Sequence, residues 1–168
     1  MHHEKNPLPQ AVDVLIIGNG PVGAALAALL GRYGVQALVL DKAHDILPMP
    51  RAIALDNEAL RILQLAGLAE DAFDKIVIPE VRMHCPMVGQ FGRANTSGSL
   101  DGHPKLVTFY QPDLERSLRA QQRRFDSVRS VGGFELQDLA QDAGGVSATL
   151  LGEDGMQQTV RARYLVGA

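Results

Sequence analysis

The sequence predicts an α/β fold: a parallel sheet with helices on its faces and a three-stranded antiparallel meander. Three observations carry this. Residues 12–17 (VDVLII) and 35–40 (VQALVL) are short apolar runs, the pattern of parallel strands covered on both faces. Between them, residues 21–33 are apolar on every side, as a helix buried against a sheet is. In the last third, residues 134–141, 146–151 and 156–161 are short strand-like runs. They are joined by Ala143-Gly144-Gly145 and by Gly152-Glu153-Asp154-Gly155, which read as hairpin turns.

Taken in order, residues 1–11 are a polar lead-in with Pro7 and Pro9. The first strand stops at Gly18, and Gly31 and Gly34 end the helix that follows. Strand, glycine turn, helix and strand within so short a stretch make a right-handed βαβ unit. Residues 56–66 read as a second helix, with Asp56 as N-cap and Gly67 past its end. Residues 76–84 are strand-like, and the glycine-rich stretch 86–104 reads as a hairpin and loops reaching away from the main sheet. Residues 105–109 form another strand. Residues 111–125 form a helix with Leu114, Leu118 and Phe125 on one face. Residues 164–167 return to the buried style of the first two strands.

Composition narrows the function classes. The 168 residues are 46% hydrophobic and 21% charged, enough to bury a core in one domain. Sixteen Lys and Arg against nineteen Asp and Glu leave a net charge of −3, which argues against general nucleic-acid binding. The single cysteine, Cys85, rules out an internal disulfide and fits a reducing cytoplasm. No apolar run is long enough to span a membrane, and residues 1–7 carry no signal-peptide core. The histidines are scattered without metal-ligand spacing, so no metal site is expected. Arg116, Arg119, Arg123, Arg124 and Arg129 read as a solvated helix face, with Glu115 and Arg119 an i,i+4 pair. Ser97, Ser99 and Ser117 lack the elbow of a nucleophile.

The strongest chemical signal is Gly18-Asn19-Gly20-Pro21-Val22-Gly23, a G-x-G-x-x-G between a strand and a helix. Gly18 permits the tight turn, Gly20 lets a pyrophosphate reach the backbone, and Gly23 lets helix and strand pack closely. The helix start offers free N–H groups and partial positive charge to phosphates. Asp41 ends the next strand, where a carboxylate accepts from both hydroxyls of an adenosine ribose and disfavours a 2′-phosphate. This is a Rossmann-like site for an ADP-containing dinucleotide, and so far an NAD-dependent dehydrogenase domain fits as well as a flavoprotein.

Two further stretches carry a resemblance. Pro50-Arg51-Ala52-Ile53-Ala54-Leu55 and the following Leu60 and Leu63 resemble the R-A-x-x-L/I-x-x-x-x-L-x-x-L stretch of FAD-dependent aromatic hydroxylases. Gln111-Pro112-Asp113-Leu114-Glu115 resembles the Q-x-x-L-E that opens a later helix there. With the glycine motif these cover most of the chain, and the sequence resembles the phenol-type class A flavoprotein monooxygenases, especially the 3-(3-hydroxyphenyl)propionate hydroxylase-like members. The resemblance implies FAD as cofactor, with Gly18, Gly20, Pro21 and Gly23 at the pyrophosphate and Asp41, followed by Lys42, at the adenosine ribose. Family members more often carry Glu followed by Arg or Lys at that point. Arg51 would reach the pyrophosphate or ribityl side, Gln111 the ribityl chain, and Leu136 the adenine. It further implies NADH or NADPH as co-substrate, a small phenolic substrate and ring hydroxylation with oxygen at the flavin. No residue of the chain is assigned a catalytic role.

On the same comparison, residues 1–75 and 105–168 form the FAD-binding domain, and 76–104 reach towards the substrate side. The family's terminal strand runs into an Asp-Gly pair, whereas this sequence ends on Gly167-Ala168. The chain therefore reads as the N-terminal portion of a longer enzyme. Taken alone it is expected to be a folded module that binds FAD weakly or not at all and lacks activity. The aromatic substrate, the nicotinamide donor and the oligomeric state are not legible.

Overall fold

The structure, a computed structural model, describes residues 7–168. Residues 1–6, which hold most of the polar lead-in, lie outside the described residues. The elements run β1 (Ala11–Ile17), α1 (Pro21–Arg32), β2 (Ala37–Asp41), β3 (Ala54–Asp56), α2 (Asn57–Leu65), β4 (Lys75–Val77), β5 (Glu80–Cys85) and β6 (Gly89–Asn95). They continue with β7 (Ser99–Leu100), β8 (His103–Pro104), β9 (Leu106–Phe109), α3 (Gln111–Gln122), β10 (Val128–Gly132), β11 (Phe134–Asp142), β12 (Gly145–Gly152) and β13 (Gln157–Gly167).

The main sheet has six strands in the order β10-β2-β1-β13-β12-β11. The first four are parallel, and β12 and β11 add antiparallel pairs. Because side chains alternate along a strand, the apolar run of β1 serves two cores at once. Val14 and Ile16, with Ala37 and Val39 of β2, pack under Ala27 of α1. Leu15, Leu38 and Leu40 face the other way, onto Phe134, Ala148, Leu150, Val160 and Ala162 of the meander. Each large side chain so buried contributes about 1.5–3 kcal/mol. Neither face of β1 can therefore turn polar over residues 14–16, which is why that stretch shows no alternation.

The strand β13 makes this layering possible. Residues 157–162 pair with β12 and residues 161–167 pair with β1. The hand-over lets the meander curl across the face opposite α1. The sequence splits this span into a third meander strand and a separate buried run; the structure joins them as one strand. Tyr164, in the run expected to be buried, is 63% exposed. Helix α1 packs on one face of the sheet, and the meander lies on the other side, as expected.

A third cluster joins Ala24 of α1 to Leu60 and Leu63 of α2, Phe73, Val107 of β9, and Leu114 and Leu118 of α3. The helix α2 starts as expected, with the Asp56 carboxylate accepting from Ala59 N–H at 2.8 Å. Strands β3, β9 and β4 form a small antiparallel sheet beside it. The expected strand over 76–84 is broken after Val77, and β5 pairs with β6 as a separate hairpin. The strand β10 has no counterpart in the sequence reading, because Arg129 and Ser130 hide its apolar pattern.

Candidate functional site

The glycine turn sits where the sheet meets the N-terminus of α1. Gly18 has φ of 107°, a conformation that L side chains rarely adopt. A Cβ on Gly23 would lie 2.0 Å from the Gly18 carbonyl oxygen, so that glycine is what allows helix and turn to touch. A Cβ on Gly20 would meet nothing within 4 Å. Gly18 and Gly23 thus serve the fold, while Gly20 faces open space, as a backbone left clear for a ligand does. The helix starts on Pro21, with Gly20 as N-cap, no side-chain cap and no acid in the first turn. Its first N–H groups have no intrahelical acceptors and carry the positive end of the helix dipole, about half a charge.

Asp41 ends β2 beside this turn. Its Oδ2 accepts from the Asn19 N–H at 2.7 Å, and its Oδ1 accepts from the Ala43 N–H at 2.8 Å. Each carboxylate oxygen accepts more than one hydrogen bond, so Asp41 retains acceptor capacity towards the cleft.

That cleft has a volume of about 590 Å³ and is bounded by the glycine turn, Asp41, Lys42, Arg51 and Leu136. Seven of the nine cofactor residues expected from sequence line it: Gly18, Gly20, Pro21, Asp41, Lys42, Arg51 and Leu136. Gly23 lies behind the turn. Gln111 is buried and stands behind the Arg51 segment. Its Oε1 accepts from both the Arg51 and Ala52 N–H groups at 2.7 Å, and its Nε2 donates to Glu115 Oε1 at 2.7 Å. Gln111 thereby fixes the backbone that presents the Arg51 guanidinium.

Other lining residues have no cofactor role assigned from the sequence, and two of them, on α3, matter most. Glu115 and Arg119 of α3 form part of the cleft wall, with side chains only 4% and 12% exposed. The expectation of a solvated arginine face is corrected at Arg119, because α3 packs along α1 with this side turned inward, while Arg116, Arg123 and Arg124 are exposed as expected. Arg119 donates from Nε to the Asn19 carbonyl at 3.1 Å. The other arginines go elsewhere: Arg116 pairs with Asp113, Arg124 donates to Gln121, and Arg129 lies on β10 and donates to the Pro7 carbonyl. Asn19 is itself buried, and Gln122 Nε2 donates to its Oδ1 at 3.2 Å. Glu115 and Arg119 follow Gln111 by four and eight residues, which places all three on one helix face.

Among the described residues, no group of His, Cys, Asp and Glu could hold a metal ion. No helix there is long and apolar enough to cross a membrane.

The open Gly20 backbone, the uncapped helix start and the strand-end carboxylate fit a dinucleotide, and the comparisons with known proteins show which. The 3-(3-hydroxy-phenyl)propionate/3-hydroxycinnamic acid hydroxylase of Comamonas testosteroni is 40% identical over 157 residues, covering 93% of this chain. The chain spans 27% of the length of that relative. Among solved structures, p-nitrophenol 4-monooxygenase PnpA from Pseudomonas putida DLL-E4 superposes with a TM-score of 0.82 at 21% identity, over 95% of this chain and 41% of its own, a likeness of fold. The flavin-dependent monooxygenase PieE, solved in complex with FAD and substrate, gives 0.72 at 26% identity, over 94% of this chain and 30% of its own. Residues 11–168, from the start of β1 past the end of β13, match the FAD binding domain family, and the chain belongs to it.

Proposed function

We propose that this domain holds the ADP half of FAD for a flavin-dependent monooxygenase that hydroxylates a small phenolic acid with NADH or NADPH and oxygen. The observation that carries the reading is the junction of the glycine turn with Asp41, open to one cleft that also takes in Arg51 and Leu136. The names of relatives such as the Comamonas hydroxylase support a phenylpropanoid acid as the substrate.

In this reading the N-terminal N–H groups of α1 and the bare backbone at Gly20 receive the pyrophosphate. Gly18, Pro21 and Gly23 hold that backbone in place. Asp41 accepts from the adenosine ribose hydroxyls, and Lys42 lies at the rim beside it. Leu136 packs on the adenine. Arg51 offers its guanidinium to the pyrophosphate or ribityl side, and Gln111 serves the ribityl side by fixing the Arg51 backbone. FAD, when bound, supplies the redox chemistry, and the chain's own residues bind and orient it. Residues 76–104 face the substrate side, and the setting is cytoplasmic.

The test is flavin content. Gly20→Glu fills the open space at the pyrophosphate with a negative side chain, and Arg51→Ala removes a cation. Both variants, made in the full-length protein, should lose flavin on purification. Undiminished flavin in both would overturn the reading, and a colourless protein that binds NAD would favour a dehydrogenase domain.

A further inference from the structure

The two backbone segments that border the cleft are joined through the interior by one helix. Gln111, Glu115 and Arg119 lie four residues apart on α3 and form a continuous polar ladder. At one end, Gln111 Oε1 takes the Arg51 and Ala52 N–H groups. In the middle, Glu115 Oε1 accepts from Gln111 Nε2 at 2.7 Å, and Glu115 Oε2 lies 4.0 Å from Arg119 Nη2. At the other end, Arg119 Nε donates to the carbonyl of Asn19, inside the G-x-G. A second, longer contact runs from Arg119 Nη1 to the His44 carbonyl at 3.5 Å, just past Asp41 and Lys42.

Two physical consequences follow. In a trans peptide the C=O and the next N–H point in opposite directions. Holding the Asn19 carbonyl against Arg119 therefore turns the Gly20 N–H away from α3. Second, Glu115 is nearly fully buried, and its charge is tolerable there only while a cation and a donor satisfy it. Removing Arg119 takes away the cation beside that carboxylate, which lets the side chain move and loosens its hold on Gln111.

We propose that Arg119 is a positioning residue that, through Glu115 and Gln111, makes α3 set the glycine turn and the Arg51 segment as one unit. The value of this coupling for cofactor binding rests on the FAD reading above, but the coupling itself is measurable without cofactor.

Amide hydrogen exchange on the cofactor-free chain reads it directly. In Arg119→Met, the Arg51 and Ala52 amides, which Arg119 does not touch, should exchange on the order of tenfold faster, together with Asn19. Arg119→Lys keeps a cation beside Glu115 but loses the planar fork. It should restore protection at Arg51 and Ala52 more than at Asn19, a pattern that general loosening of the helix does not produce, and it serves as the readout if Arg119→Met folds poorly. Acceleration confined to Asn19, with Arg51 and Ala52 unchanged in both variants, would overturn the proposal. In the FAD-loaded protein, losses of affinity in Gln111→Leu and Arg119→Met should combine to less than their product, since both cut one chain of contacts; independent, multiplying losses would contradict the coupling. Accelerated exchange without any FAD binding by the unaltered protein would sustain the coupling and overturn the cofactor reading.

Discussion

The Asn19 N–H donates to the Asp41 carboxylate at 2.7 Å, tying the middle of the glycine turn to the end of the neighbouring strand. This contact makes one site of two features separated by 22 positions in the chain. Asp41→Ala removes the acceptor for both Asn19 and Ala43. Charge-assisted hydrogen bonds of this kind contribute about 1.5–3 kcal/mol each. The account predicts a loss of FAD affinity of at least about tenfold, measured by calorimetry, with Asp41→Asn intermediate because its single amide oxygen keeps one of the two contacts.

The glycines divide by what stands in front of them. Gly23→Ala drives a methyl group into the Gly18 carbonyl and should destabilise the fold by about 1–3 kcal/mol, read as a fall of about 3–10 °C in Tm. Gly20→Ala places its methyl in open space and should leave the Tm of the cofactor-free protein unchanged while weakening FAD. Thermal melts with and without FAD separate the two.

Arg51 presents its side chain at the cleft while its backbone is held by Gln111. Arg51→Ala should therefore cost cofactor affinity and leave unfolding in denaturant unaltered. Gln111→Leu should cost both, because two backbone N–H groups lose their acceptor.

The hairpin of β5 and β6 carries its own pH dependence. A hydrogen bond from Arg82, aided by the charges of Arg82 and Arg93 against a desolvation that acts in the opposite sense, holds the Glu80 carboxyl below its ordinary range. A carboxyl lowered on folding stabilises the folded state above its unfolded pKa, about 4.3. That contribution is lost as pH falls through the lower folded value. Hairpin protection factors, taken relative to the intrinsic exchange rate at each pH, should therefore fall below about pH 4, and Glu80→Gln should remove this acid dependence.

Much of this was legible in the sequence, for reasons that particular residues make plain. The run Val14-Leu15-Ile16 is apolar on both faces, and Gly18 and Gly23 have steric roles in the turn, so strand, turn and helix follow from local chemistry. Asp56 caps α2 with its own side chain, again a local event. What escaped depends on tertiary packing. A Glu–Arg pair at i,i+4 reads the same on a solvated helix as on one turned inward, so Glu115 and Arg119 pass for surface. The continuity of β13 is equally hidden, because the strand changes partner from β12 to β1 near Arg161 and Ala162, and each half has its own burial pattern.

The most direct test of the account is a titration of the chain with FAD in competition with ADP and with FMN. The residues around the Asn19–Asp41 junction would hold the adenosine diphosphate half. The account predicts saturable, one-to-one FAD binding, weaker than retention through purification requires, displaced by ADP and indifferent to FMN, and absent in Gly20→Glu. Binding displaced by FMN but not by ADP, or an undiminished affinity in Gly20→Glu, would contradict it.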